Sequence, residues 1–213
     1  MTVPDGHDRL HLLQDVLTFW FGDDAAALTA GSPARGYRFK LWFGGANDER
    51  FDALQVEAKD LIQQAAAGGP EWDGPRNTLA RIIVLDQFSR TAYRATAQAF
   101  ERDEMAADIS AAAIDAGSDE QFTPYERLFF YLPLMHSERM EYQRLCLAKV
   151  TSTPGLEDCI AFANSHLVVV EQFGRFPHRN AAMGRTSTPE ELAWLASDKL
   201  PGWARSQAPP PQG

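Results

Sequence analysis

The stretch Thr123-Pro-Tyr-Glu-Arg-Leu-Phe-Phe-Tyr-Leu-Pro133 decides the fold class. Thr123 is placed to cap a helix, Pro124 suits the first helical position, and the Glu126 carboxylate can reach back to the Thr123 N–H. Pro133 has no N–H to donate, so it is expected to bend or end this helix and leave Leu134 to Ser137 at a junction. Thr188-Pro-Glu-Glu191 repeats the device and opens a short final helix through Leu195.

Helical spacing extends outward from there. Leu10, Leu13, Val16, Leu17 and Trp20 recur at three- and four-residue steps and stop at Gly22. A Gly/Ser/Pro-rich loop and the aromatic run Phe39 to Phe43 follow. Asn47 is placed to cap a second long helix carrying Phe51, Leu54, Ala58, Leu61 and Ile62, closed by Gly68-Gly-Pro70. Asn77 to Phe88 reads as a buried helix, and another runs from near Thr96 to Gly117. Beyond Pro133, helices are expected over Glu138 to Lys149 and Leu156 to about Gly174. No strand-length alternation competes. About eight helices joined by short loops imply an all-α domain of packed antiparallel helix pairs over residues 8–197, with 1–7 and 204–213 as frayed termini. No repeat of roughly thirty to fifty residues is visible, so a helical-repeat fold fits only in degenerate form.

Composition narrows the partners. A formal net charge of -9 argues against nonspecific nucleic-acid binding and against anionic membrane surfaces. The apolar runs are interrupted well before a membrane span is reached, and the N-terminus shows no signal-peptide pattern. Cys146 and Cys159 read as reduced, small core residues. A cytoplasmic protein is expected.

Three polar clusters interrupt the helical background. Near the C-terminus, Phe173-Gly-Arg-Phe-Pro-His-Arg-Asn180 and Gly184-Arg185 set Arg175, His178, Arg179, Asn180 and Arg185 among Gly, Pro and Phe. Guanidinium groups offer planar forks of donors for carboxylate or phosphate, and a nearby helix start adds free N–H groups. His166, two turns before Gly174 on the same helix face, is placed to point toward this loop. The bland alternative has these arginines bonding helix-end carbonyls and acidic partners such as Asp86 or Glu138.

In the second cluster, Asp86-Gln-Phe-Ser-Arg90 followed by Tyr93-Arg94, Phe100 and Asp103, the carboxylate of Asp86 ends an apolar helix, where it suits the dipole poorly unless a cation neutralises it. Arg90 and Arg94, at four-residue steps, are placed to do so, either as a structural brace or as part of a site. In the third, His136 and Glu138 follow Pro133. Glu138 can orient the imidazole and raise its pKa, as a general base would use; alternatively Ser137 caps the next helix with Glu138 in its first turn. The candidate catalytic groups are His136, Glu138 and Asp86. The candidate ligand-binding groups are Arg90, Arg94, His166, Arg175, His178, Arg179, Asn180 and Arg185. No metal site is assigned, because di-iron, zinc and EF-hand patterns are missing; a set drawn from His136, Glu138, His166 and His178 is the metal-binding alternative. Nucleotide and hydrolase signatures are also missing, and no cofactor is assigned.

Taken in order, Phe19-Trp-Phe-Gly22, Trp42-Phe43, Leu85-Asp-Gln-Phe88 with Arg90 and Tyr93-Arg94, Leu132-Pro133 with His136-Ser-Glu138, and Phe173 to Asn180 resemble one family. It is the domain of unknown function 924 family, found mainly in bacteria, and the resemblance runs from about Val16 to Leu195. It implies an all-α fold similar to tetratricopeptide-repeat helical arrays; the family has no established activity, so the resemblance identifies no reaction. Ser89 and Thr91-Ala92 depart from its pattern, as does Met183, without touching the charged groups. The leading functional expectation is an arginine- and histidine-lined pocket for a small phosphorylated or carboxylated ligand, in a hydrolase or transferase. A peptide- or protein-binding module on the concave face of a helical array is the alternative from another class.

Overall fold

The computed structural model describes residues 13–43 and 49–207. The helices are, in chain order, α1 (Leu13–Phe21), α2 (Pro33–Phe43), α3 (Glu49–Glu57), α4 (Lys59–Ala67), α5 (Pro75–Ile83), α6 (Ser89–Ala92), α7 (Asp103–Asp115), α8 (Pro124–His136), α9 (Met140–Ser152), α10 (Ile160–Phe173), α11 (Pro189–Leu195) and α12 (Gly202–Gln207). No strand occurs among the described residues. The fold is all-α, with α8 packed between α7 and α9, and α10 packed on α9.

Both expected capping boxes form. The Glu126 carboxylate accepts from the Thr123 N–H at 3.0 Å and hydroxyl at 2.7 Å. Glu191 accepts from the Thr188 N–H at 2.8 Å, and its own N–H donates to the Thr188 hydroxyl at 3.2 Å. Gly174 ends α10 at φ 69°, with its N–H on the Val170 carbonyl.

Several boundaries differ from expectation, each for a local reason. The aromatic run before Phe43 belongs to α2, where Pro33 takes the first turn and the Ser32 hydroxyl accepts from the Arg35 N–H. The second long helix breaks at Ala58 into α3 and α4, and its expected cap, Asn47, lies outside the described residues. Pro133 sits inside α8 instead of ending it. The helix stops three residues later, so the missing N–H removes one bond of its last turn. The helix expected from Thr96 starts only at Asp103, after a turn that buries Phe100. Residues 1–12 and 208–213 lie outside the described residues. Of the tail expected to fray, 204–207 are instead helical in α12, where Ala204 is buried and the neighbouring Trp203 packs on the His166 ring.

Aromatic side chains fill the centre. The Phe129 ring of α8 meets Trp42 edge-on at 4.8 Å, Phe21 at 5.4 Å and Trp20 at 5.5 Å between centroids. Trp42 Nε1 donates to the Trp20 carbonyl at 3.1 Å, which ties α2 to the end of α1. Buried Arg38 completes that joint, donating to the Phe19 carbonyl at 2.8 Å and the Trp20 carbonyl at 3.2 Å. Its charge sits at the negative end of the α1 dipole. Gly22 turns at φ +85°, and a Cβ there would lie 2.8 Å from Arg38 Nη2. A smaller apolar cluster, Val169, Val170 and Phe176 with Met140, Phe173, Trp194 and Trp203 against it, holds the C-terminal region.

Phe129→Ala removes the ring on which three others converge and should cost about 3–5 kcal/mol. Urea unfolding should show a lower midpoint with an unchanged slope; an unshifted midpoint would show that this cluster does not carry the core.

Candidate functional site

Helix α5 does not end at Ile83. It widens into a π-helical turn, Val84–Phe88, and continues as α6. All five residues of the wide turn are buried, Asp86 among them. Such insertions recur where a helix must aim side chains that regular spacing would misplace.

Asp86 accepts from His136 Nδ1, which lies 2.8 and 3.0 Å from its two oxygens, and from Gln87 Nε2 at 2.5 Å. Arg90 Nη1 lies 3.1 Å from the same carboxylate. Burial would raise the Asp86 carboxyl, but Arg90 and then His136 overcome it and hold the group well below the usual carboxylate range. Arg90 grips Asp103 with both ends of its fork, at 2.7 and 2.9 Å. Arg179 reaches the other side of Asp103 at 3.0 Å and donates to the His136 carbonyl at 2.8 Å. The Arg179 guanidinium lies over the rings of Phe176 and Phe100, at 4.5 and 4.8 Å. Two buried aspartates thus meet two buried arginines.

His136 closes α8 with Nδ1 committed to Asp86, and its Nε2 keeps no protein partner among the described residues. Burial lowers its pKa, Arg90 adds to that, and Asp86 opposes it. His166 points Nδ1 at the Phe162 carbonyl, 2.9 Å away, and stacks on Trp203 at 3.8 Å. The His136 and His166 rings are 6.2 Å apart. His178 is buried with Nδ1 unpaired, and its ring meets Trp203 edge-on at 5.3 Å. Burial drives His166 and His178 well below the ordinary imidazole value.

These three imidazoles border a cavity of about 640 Å³. Its aromatic walls come from Trp20, Trp42, Phe43, Phe51, Phe100, Phe162 and Trp203, and its polar lining also includes Asp52, Gln55, Gln87, Arg90, Thr91, Arg94 and Arg179. Arg94 stands at the solvent edge, its side chain 58% exposed and 3.6 Å from Asp52.

The expected site residues therefore divide into two groups. Arg90, Arg94, His136, His166, His178 and Arg179 reach the cavity, with Asp86 directly behind His136. Glu138, Arg175, Asn180 and Arg185 do not border it. The Glu138 carboxylate accepts from Arg185 at 2.7 and 3.0 Å and from the Phe176 N–H at 2.8 Å. Glu138 is thus a brace for the C-terminal loop, and Asp86 is the carboxylate that orients His136. Arg175 forks onto Glu191 at 2.6 and 2.8 Å, and Asn180 donates to the same carboxylate at 3.2 Å. Reading the sequence as one ligand site failed there because an acid three positions after a helix cap is also the natural partner of a nearby guanidinium. Asp103 belonged to the Asp86–Arg94 cluster without being assigned a role in the site, and Trp203 was not singled out. The signal for Trp203 was one aromatic side chain in a polar tail. No group of three or more His, Cys, Asp or Glu side chains among the described residues is placed to hold a metal ion, and no helix among them is long and apolar enough to cross a membrane.

The sequence matches the family described as "bacterial protein of unknown function (DUF924)" over residues 16–199. No curated protein matches it. Among solved structures, a protein of unknown function from Agrobacterium tumefaciens is 33% identical and superposes with a TM-score of 0.70, covering 89% of this chain and 99% of that one.

The buried imidazoles carry a pH dependence. In the unfolded chain they titrate near their ordinary value of 6.5, whereas in the folded protein all three bind protons only at lower pH. The unfolded state then takes up protons first as pH falls. Stability is complete above the unfolded value and declines below it. The urea midpoint should therefore drop between about pH 7.5 and 5.5, and His178→Phe should flatten the dependence. A midpoint independent of pH would mean that the imidazoles are not held neutral.

Proposed function

The chain belongs to the DUF924 family, and we propose that its aromatic cavity binds a small molecule on which His136, oriented by Asp86, acts as general base. The observation that carries this reading is the His136 Nδ1–Asp86 pair at 2.8 Å beside a cavity of about 640 Å³. A carboxylate on Nδ1 fixes the ring and its tautomer, and stabilises the imidazolium formed when Nε2 accepts a proton. If the proton comes from water the reaction is a hydrolysis; if it comes from a ligand hydroxyl it is a group transfer.

The charge pattern refines the expectation of an anionic ligand. Arg90 and Arg179 are spent on Asp103 and Asp86, and Arg175 and Arg185 serve the C-terminal brace. Arg94 is the cavity-lining guanidinium with the longest pairing and the greatest exposure. An anionic substituent is therefore met at the rim, while the interior offers apolar surface and neutral imidazoles. The interaction-module alternative calls for an apolar groove without a polar interior. Phe43 and Phe162, the exposed aromatics that would serve it, are part of the cavity wall.

A thermal-shift screen over organic acids, phosphorylated sugars and nucleotides tests the reading. A ligand present at a hundred times its Kd adds about 2.7 kcal/mol to the folded state. The expected result is a saturable shift from one class of organic acid, reduced in Arg94→Ala. His136→Gln should fold normally and lose the turnover of that ligand. Retained turnover in His136→Gln removes it from the chemistry, and no shift across the panel removes the cavity as a ligand site.

A further inference from the structure

Two of the imidazoles that border the cavity are committed in the same sense. His166 Nδ1 lies against the Phe162 carbonyl, an acceptor, so Nδ1 carries the hydrogen and Nε2 the lone pair. His136 Nδ1 lies against the Asp86 carboxylate, also an acceptor, and burial with Arg90 nearby keeps the ring neutral, so its Nε2 too presents a lone pair. Neither Nε2 has a protein donor among the described residues, and the rings are 6.2 Å apart. Two neighbouring acceptors without donors are matched by a ligand that brings hydrogens. His178, buried with Nδ1 unpaired beside the same Trp203, adds a third polar group lacking a protein partner. A buried polar atom in that state is costly unless a ligand or water satisfies it. The surrounding walls are aromatic planes, and the loosely paired cation is at the rim.

We infer that the cavity is built for a flat ring compound that carries a hydroxyl at one end, set beside His136 and His166 with its one hydrogen on one of the two Nε2 atoms, and an anionic substituent at the other, set at Arg94. This rests on the small-molecule reading above and names its substrate class. A phosphorylated polyol matches the donors but not the aromatic planes. A ring acid without a hydroxyl matches the planes but brings neither Nε2 a hydrogen.

The probe is 6-hydroxy-2-naphthoate, rigid and flat with its two polar groups at opposite ends. The controls are 2-naphthoate, which lacks the hydroxyl, and glucose 6-phosphate. Calorimetric titration should show the hydroxynaphthoate binding at least about tenfold more tightly than the naphthoate. His166→Phe, which keeps a ring against Trp203 but removes one of the two acceptors, should narrow that difference, and Arg94→Ala should weaken both naphthoates alike. Equal binding of the two naphthoates overturns the inference, as does binding of glucose 6-phosphate alone; in both cases the cavity remains a ligand site. Failure of all three to bind overturns the inference outright.

Discussion

Asp103 holds two guanidinium groups at once, and the geometry of the site depends on that one carboxylate. Arg90 comes from the end of the α5–α6 rod and Arg179 from the turn after α10, so Asp103 at the start of α7 joins three distant parts of the chain. Each arginine then reaches toward the His136 side: Arg90 donates to the Asp86 carbonyl with the Asp86 carboxylate 3.1 Å away, and Arg179 donates to the carbonyl of His136. Burying charges is unfavourable by several kcal/mol per ion unless each is paired with good geometry. Here two negative and two positive groups balance, and forks and carboxylates match in shape. Removing any member leaves an uncompensated charge in the interior, which gives the arrangement one register. His136 inherits its orientation from a residue that it does not touch.

The same pairing sets the electrostatic character of the cavity. Arginine-rich sequence suggests a positive field, yet a guanidinium already facing a carboxylate projects little charge beyond it. Arg90 and Arg179 border the cavity while their charge is returned to Asp86 and Asp103. The imidazoles are pushed toward their neutral forms by burial and by these same arginines. The outcome is an interior of neutral imidazoles and aromatic planes, with the exposed Arg94–Asp52 pair at its edge.

Local rules made the helical fold legible. Thr123 with Glu126 and Thr188 with Glu191 each combine a cap, a proline and a returning carboxylate, which fixes a helix start without tertiary help. The positive φ of Gly22 and Gly174 likewise ends α1 and α10 where composition indicates. What sequence spacing did not show was the π-helical turn at Val84–Phe88, because a widened turn leaves the residue types of a regular helix unchanged. Asp86, Arg90 and His136 could be singled out, since a carboxylate at a helix end and a histidine after a proline need partners. Which partner each takes is a tertiary fact. Glu138 is two residues from His136 in sequence, yet it faces Arg185, while Asp86, fifty residues away, faces the imidazole.

The cavity's position follows from how the apolar surface is divided. Trp20, Trp42, Phe51 and Leu132 belong to the large aromatic core, whereas Trp203 packs with the small cluster of Val169, Val170 and Phe176. Two apolar bodies of unequal size do not close completely along their seam, and the residues left there cannot all be satisfied by backbone. Imidazoles suit such a place: a ring that stacks on tryptophan, as His166 does, keeps an apolar face and a polar edge in one side chain. A seam filled with leucine would seal. One lined by histidines, with a charge network anchored behind it, stays open and polar.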